Sequence, residues 1–468
     1  MDNAPEKISA FEKRIKRQVI GKPHRFLAVI PLGFEQTFVD ELDCLRRKLE
    51  SGDESAESFD IKITGDGKVE FTAKLVEAWK IAAYSRIANR IQMHIADFKA
   101  ENFRDLERKA EEVPWELYLL DERRKTKDER HVHIHVTCKH SRLYHSDAVA
   151  ERLQKVIEGG SAPLASIVSL SDKVPEPAEG PPTPSAGTPR NAPSQNIFVT
   201  LIDDRCTIWL DLAGEELYKR GHERFVNDAP LKETIAAAML FESTKIADAP
   251  VALFDLMAGS GTFSLEAAYA ANRLIPGVCR DFALKHQPAF KEPTWRFILD
   301  EKRGSTGSPT EARDERFVKI VTSDISEKAV SIIRHNVESA PLPAGTIDPQ
   351  VRDFFSYTAQ EIADACPGET SPVILLNPPY GKRLDVDAPA LYKRLGCRLA
   401  ELARTLDSLG KKLTVGILAP RDIPASKYTC TANLLRECPS LDPVQNPNVK
   451  FIVTSHGGLT LNAIFATI

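Results

Sequence analysis

Hydrophobic positions in the first part of the chain follow two rhythms. Residues 26–31, Phe-Leu-Ala-Val-Ile-Pro, form an apolar run that reads as a buried strand. Phe34, Phe38, Leu42, Leu45 and Leu49 then recur at steps of four, four, three and four, one stripe of an amphipathic helix that ends at Gly52 and its acidic neighbours. Residues 58–63 and 68–72 predict a hairpin about Gly65-Asp66-Gly67, and 73–88 a second helix. Strand, helix, strand, strand, helix is the order of a ferredoxin-like α+β layer. Residues 131–137 alternate with period two, which puts Val132, Ile134 and Val136 on one face and His131, His133 and His135 on the other. A helix is expected over 149–157, and a hairpin over 196–202 and 206–211 about Asp203-Asp204-Arg205.

From residue 251 the rhythm changes. Apolar runs at Val251–Phe254, Val318–Thr322, Val373–Leu376 and Leu413–Leu418 predict strands, with helices at Thr262–Ala271, Ser326–Glu338 and 389–408 and a further strand before Asp353. Uniformly apolar strands alternating with helices imply a mostly parallel sheet covered on both faces, an α/β domain of Rossmann-like type. Residues 449–454 and 459–467, about His456-Gly457-Gly458, predict a closing antiparallel hairpin, and 274–317 is a long insert.

Length and charge narrow the picture. The 468 residues suffice for two or three domains. Lys plus Arg total 62 against 66 Asp plus Glu, a net charge of -4. That excludes a histone-like polybasic protein, but not nucleic-acid binding, for which only one face has to be basic. Lys13, Arg14, Lys16, Arg17, Lys22 and Arg25 come with no acid among them, so residues 1–25 read as a solvated basic arm able to meet phosphates. No apolar run approaches the ~20 residues of a membrane span. The eight cysteines contain no CxxC pair, and with a charged N-terminus a reducing, cytoplasmic location with free thiols is expected. The strand histidines have no acid or cysteine at a ligand position and splay apart, so a polar face open to RNA is expected there and no metal. Seven prolines in 171–195 predict a flexible loop insertion, and the hairpin that follows it moves the expected domain boundary to 215–228.

Two motifs carry chemistry. Asp255-Leu256-Met257-Ala258-Gly259-Ser260-Gly261-Thr262 leaves a buried strand and enters a helix. Its glycines permit a tight turn and close approach of a ligand to backbone, and the helix start offers free N–H groups. It is not a P-loop, for Gly-Lys-Ser/Thr is missing, and Ser264 stands where a dinucleotide fingerprint has its third glycine. The plain alternative is a structural turn. Asp324, ending the next strand, favours a ligand, because an acid there can accept hydrogen bonds from a ribose diol. The second motif, Asn377-Pro378-Pro379-Tyr380-Gly381, directly follows a strand. Its plain alternative is a rigid turn, which leaves the asparagine and the aromatic unexplained. An amide oxygen and a proline-fixed carbonyl can both accept hydrogen bonds from an exocyclic amine, and the Tyr380 ring can stack on a base.

With these motifs the chain resembles the amino-methyltransferases that use S-adenosylmethionine. The likeness extends through Asp228-Ala229-Pro230-Leu231-Lys232-Glu233-Thr234, Glu266-Ala267-Ala268, Pro276-Gly277, Arg280, Ser323-Asp324-Ile325, Asn377 to Arg383, Leu391-Tyr392-Lys393 and Leu395-Gly396. Together they resemble the THUMP-domain RNA guanine-N2 methyltransferases, a family that includes the bacterial enzyme acting on 23S ribosomal RNA. The resemblance covers most of 26–468, and its N-terminal part rests on 26–50, Gly65-Asp66-Gly67 and Lys139-Ser141-Arg142. The family commonly has Pro and Cys where this chain has Leu256 and Ala258, and Glu where it has Asp228; none of these removes a reacting group. A second methyltransferase unit, fused in some relatives, is not in this sequence.

The resemblance implies a class I methyltransferase domain over 216–468, after a ferredoxin-like and THUMP RNA-binding region over 26–215. Asp255, Met257, Ala258, Gly259, Ser260, Gly261 and Thr262 would cradle the methionine part of S-adenosylmethionine. Asp324 and Ile325 would hold its ribose, and Asp353 and Phe354 would frame its adenine. Asn377, Pro378, Pro379 and Tyr380 would hold the target base, and Lys139, Ser141 and Arg142 would meet RNA. The expected reaction is methylation of a guanosine N2 amine in structured RNA, with 23S rRNA or a ribosomal assembly intermediate as partner. The motifs leave open a transfer-RNA guanine-N2 enzyme, an adenine-N6 enzyme on RNA or DNA, and a non-catalytic RNA-binding assembly factor.

Overall fold

A computed structural model describes residues 9–49, 60–119, 132–159, 195–222, 224–226, 230–247, 250–300, 316–381, 387–422 and 429–468. His131, Asp228, Arg383 and the Pro-rich stretch up to residue 194 lie outside the described residues.

In chain order the first half contains α1 (Ala10–Ile15), β1 (Pro23–Val29), α2 (Glu35–Leu49), β2 (Ile61–Gly65), β3 (Lys68–Lys74), α3 (Leu75–Tyr84), β4 (Arg90–Lys99), α4 (Phe103–Glu111), β5 (Val132–Lys139), α5 (Ser146–Ile157), β6 (Gln195–Ile202) and β7 (Arg205–Asp211). Its strands form one sheet in the order β2-β3-β1-β4-β7-β6-β5. The first three positions of the predicted α2 stripe are buried, with Phe34, Phe38 and Leu42 packed among Phe26, Phe71 and Met93 of the sheet, and Leu45 is half-buried. On the same face Ile134, Val136, Val199 and Ile208 pack with Leu106 of α4 and Val149 and Leu153 of α5. The other face is polar and aromatic: His135 stacks on Phe198 at 4.7 Å and meets Asn196 Oδ1 at 3.2 Å. Strand β4 was not expected. A bulge between His94 and Ala96 breaks its alternation.

The predicted basic arm is largely built into the fold from residue 9. Ser9 caps α1, Ile15 and Val19 are buried, and β1 already begins at Pro23. Arg14 pairs with Glu116 at 2.7 Å, and Arg25 lies 3.6 Å from both Glu70 and Asp97. Apolar burial at two helical positions outweighs the solvation of the cations around them.

The second half contains α6 (Glu233–Ile246), β8 (Val251–Asp255), α7 (Thr262–Ala271), α8 (Glu292–Asp300), β9 (Phe317–Asp324), α9 (Glu327–Ser339), β10 (Pro349–Val351), α10 (Ala359–Asp364), β11 (Ser371–Leu376), α11 (Ala388–Ser408), β12 (Thr414–Pro420), α12 (Cys430–Glu437), β13 (Lys450–His456) and β14 (Leu459–Thr467). The order is β10-β9-β8-β11-β12-β14-β13, with β8 to β12 parallel and β14 antiparallel between β12 and β13. Strand order reverses between β8 and β11, which opens a crevice at their carboxyl ends.

The expected regions 26–215 and 216–468 own separate sheets but share one hydrophobic interior. It runs from Phe26 and Trp79 through Ile235 and Phe282 to Trp295 and Phe465. The insert after α7 helps to fill the joint, and Tyr84 Oη donates to the Ile298 carbonyl at 2.8 Å. Glu242 of α6 accepts from Thr37 Oγ1 at 2.5 Å and from Lys450 Nζ at 2.7 Å. Gly33, at φ +83°, packs against β13 so closely that a Cβ would lie 2.2 Å from the Val453 carbonyl oxygen. All eight cysteines are free. Among the described residues no helix is long and apolar enough to cross a membrane, and no group of three His, Cys, Asp or Glu is placed to hold a metal ion.

Candidate active site

Sheet register brings the two motifs together. Asp255 ends β8 opposite Leu375 of β11, so Asn377 leaves the sheet beside the start of the glycine turn. Val351 pairs with Asp324, so the segment with Asp353 emerges next to the end of β9. Four strand ends thus surround one crevice.

The turn from β8 to α7 needs its glycines. Gly259 and Gly261 have φ of +57° and +77°, the left-handed region that side chains disfavour. A Cβ on Gly261 would also press within 3.1 Å of Ile333 on α9. At Gly259 a Cβ would meet open space instead, so the backbone leaves an accessible cradle at the start of α7. Ala258 N–H donates to the Ser323 carbonyl at 3.1 Å, and Gly259 N–H to Asp324 Oδ2 at 2.9 Å. Asp324 Oδ1 accepts from Ser326 N–H at 2.9 Å. Asp324 therefore ties two turns together, and each of its oxygens retains a lone pair for another donor. Ile325 beside it is 71% exposed, an apolar side chain in the open. The open cradle, the carboxylate and this apolar surface fit an adenosine-bearing ligand.

Two expected ligand residues take structural positions. Asp255 is buried, and its Oδ2 accepts from Ser264 N–H at 3.1 Å and Ser264 Oγ at 2.7 Å. It fastens the first turn of α7 from inside rather than facing the crevice. Burial pushes its carboxyl up to about 7, against the Ser264 bonds. Phe354 is 1% exposed and packs with Phe254 and Tyr357 in the second core, so its ring does not line the crevice. Asp353 is half-buried and accepts from Phe355 N–H at 3.1 Å.

In the second motif Pro378 is buried, while Asn377, Pro379 and Tyr380 are half-buried. Tyr380 Oη donates to Asn377 Oδ1, and its ring packs against the shared core. The expected free stacking surface is thus partly covered. The hydroxyl instead fixes the Asn377 amide, whose oxygen keeps a second lone pair.

The expected RNA contacts lie where β5 ends. Lys139 is exposed. Ser141 Oγ is used internally, its single proton shared between the Lys139 and Leu201 carbonyls at 3.0 and 3.1 Å, and it accepts from Asp204 N–H at 3.0 Å. Arg142 pairs with Glu101 at 2.6 Å and lies 3.6 Å from Asp204. Of the three, Lys139 alone keeps an exposed charge with no such pairing.

Sequence reasoning missed the residues that brace the site. Arg224 Nη2 donates to Thr262 Oγ1 at 2.6 Å, and Asn336 Nδ2 to the Ser260 carbonyl at 3.2 Å. Behind α7, Arg220 and Arg86 converge on Glu266, with Arg220 Nε 2.9 Å from Oε1 and Arg86 Nη1 3.4 Å from Oε2. Burial alone would raise the Glu266 carboxyl, but Arg220 and then Arg86 outweigh it and hold it below the ordinary range. These residues come from distant parts of the chain and form no linear motif.

The chain is similar in sequence and fold to known proteins. Residues 220–413 match the RMKL-like methyltransferase domain family. The chain is 29% identical to the ribosomal RNA large subunit methyltransferase K/L of Alteromonas mediterranea over 68% of its own length and 40% of that protein. It is 28% identical to the protein of that name in Allochromatium vinosum over 72% of its length and 42% of the other. It thus spans less than half of each of these relatives. Among solved structures, a possible methylase from Clostridium difficile 630 superposes with a TM-score of 0.67 at 22% identity, covering 95% of this chain and 98% of that one. SMU.472, a candidate methyltransferase solved in complex with SAH, gives 0.65 at 23% identity with the same coverage. Family match and sheet order agree: residues 220–413 are similar to the RMKL-like methyltransferase domain, and the chain shares the fold of these solved structures.

Proposed function

We propose that this protein methylates the exocyclic N2 amine of a guanosine in structured RNA, using S-adenosylmethionine, and that the RNA is 23S ribosomal RNA in the cytoplasm. The observation that carries the reading is Asn377-Pro378-Pro379-Tyr380 leaving β11 beside the open glycine cradle at the end of β8. The matched relatives are named for large-subunit ribosomal RNA.

S-adenosylmethionine supplies a methyl group already activated on a sulfonium sulfur, so the protein's task is alignment and charge placement. The turn Met257–Thr262 would hold the methionine part, Asp324 would accept from the ribose hydroxyls, and Ile325 and Asp353 would border the adenine. The guanine N2 lone pair is conjugated with the ring and poorly nucleophilic. Hydrogen bonds from that amine to Asn377 Oδ1 and the Pro378 carbonyl turn its lone pair toward the methyl carbon and stabilise the positive charge that develops on nitrogen. The Tyr380 hydroxyl keeps the amide in that orientation. As the nitrogen takes the methyl group the methyl–sulfur bond would break, its electron pair staying on sulfur to leave S-adenosylhomocysteine, and the amine proton would then leave to solvent, with no histidine base. A paired guanine would hide its amine, so the target must be unstacked, and the first half grips the surrounding RNA by shape and phosphate.

Nucleoside mass spectrometry of ribosomal and transfer RNA, from cells with and without the gene, tests this. N2-methylguanosine should disappear from large-subunit rRNA. Loss of N6-methyladenosine instead, or a change confined to transfer RNA, would replace the substrate assignment.

A further inference from the structure

The segment joining the halves, described at residues 217–222 and 224–226, touches both. Toward the first half, Leu217 N–H donates to the Asn89 carbonyl and Arg220 Nη2 to the Arg86 carbonyl, each at 2.8 Å. Toward the second, Arg220 and Glu266 make a bidentate pair at 2.9 and 3.1 Å with both side chains buried, and His222 Nε2 meets Tyr269 Oη at 2.8 Å. Farther along, Phe225 is clasped by Asn336, its N–H donating to Oδ1 at 2.8 Å and its carbonyl accepting from Nδ2 at 2.9 Å.

Between these anchors sits Arg224. One guanidinium nitrogen pairs with Glu233 at the start of α6. The other donates to Thr262 Oγ1 at 2.6 Å and lies 3.3 and 3.4 Å from Ser260 Oγ and the Ser260 carbonyl. The turn it reaches contains two left-handed glycines and is open at Gly259, while Ser260 and Thr262 are buried, so the polar bonds made to those two residues help to set its shape. A planar guanidinium can hold two elements at a fixed mutual geometry, which a lysine ammonium cannot.

We propose that Arg224 is a positioning residue that fixes the Ser260–Thr262 turn in its cofactor-accepting shape and, through the anchored segment it sits on, ties that shape to the first half of the chain. This rests on the methyltransferase reading above. Arg224 need not touch the cofactor; it acts through Thr262 and Ser260.

The test is calorimetry of S-adenosylhomocysteine binding to the full chain, as wild type, Arg224→Gln, Arg224→Lys, Thr262→Val and the Arg224→Gln/Thr262→Val double variant. Arg224→Gln should weaken binding by about tenfold, the scale of a charge-assisted hydrogen bond. Arg224→Lys should recover part of that loss. With Thr262→Val already present, Arg224→Gln should cost clearly less than it does alone, because the shortest of its contacts with the turn is already gone. A residue that only stabilises the fold would lower the melting temperature yet show no such coupling. The proposal is overturned if folded Arg224→Gln binds within about twofold of wild type, or if the two losses multiply independently. Should Arg224→Gln not fold, Thr262→Val and Arg224→Lys read the same contact, and wild-type affinity in both overturns it. Wild type that does not bind S-adenosylhomocysteine overturns the methyltransferase reading itself, which is a different result.

Discussion

Asp255→Asn isolates the energetic cost of the buried carboxyl behind the glycine turn. In the folded protein this carboxyl titrates near 7, whereas the ordinary value is 3.8. Between those pH values the folded chain holds a proton that the unfolded chain has released. Stability from this group is therefore fully present below about pH 4 and is lost as pH rises toward 7. A gap of about three pH units at about 1.4 kcal/mol each bounds the loss near 4 kcal/mol. Asparagine is neutral throughout, and its amide oxygen can accept the same two bonds from Ser264. Urea unfolding of both proteins from pH 4.5 to 8 gives the difference directly, and titrations elsewhere in the molecule cancel. The variant should gain on the wild type steadily up to about pH 7 and then hold a constant lead. Even half of the bound, about 2 kcal/mol, is well resolved by this method. Parallel stability curves across that range would refute the reasoning.

Other outcomes follow from the site and its supports. Asn377→Ala should lower turnover about a hundredfold while leaving S-adenosylhomocysteine affinity within a few-fold, as single-turnover kinetics and calorimetry will show; wild-type turnover would remove Asn377 from its role. Glu266→Gln leaves the buried Arg220 and the half-buried Arg86 without their carboxylate and should cost about 3–5 kcal/mol in chemical denaturation. The fragments 1–215 and 216–468 should each be poorly soluble alone and recover when co-expressed, because separating them exposes the shared interior. Cooperative unfolding of an isolated fragment at wild-type stability would contradict that interior's importance.

Much of the frame was legible in local pattern. Helix α7 was read to the residue, because a left-handed glycine at its start and a strand before it leave few alternatives. The α2 stripe and the hairpins at Asp203-Asp204 and Gly457-Gly458 were equally plain, since period and turn chemistry are properties of neighbours in sequence. What escaped depends on tertiary contact. The cation run at 13–25 reads as solvated arm until Ile15 and Val19 find a core, and β4 hides behind a bulge. In the site, the motifs themselves were visible, but their internal division was not. That Asp255 and Phe354 face inward, or that Ser141 is consumed by carbonyls, is decided by which side of a strand end each occupies. Arg224 and Asn336 lie 36 and 76 residues from Ser260, with nothing in between to announce them.

The close fit of Gly33 against Val453 also bears on synthesis. β13 hydrogen-bonds within the second sheet to β14, so its other flank is a rim on which a foreign strand could pair. The turn that meets this rim leaves the ribosome more than four hundred residues earlier. The guard therefore exists before the strand it guards, and the rim can be met as it forms rather than standing bare while later parts are translated. A bulkier residue at 33 would drive that turn off the strand, and its cost should appear first as aggregation during expression rather than as lost methyl transfer.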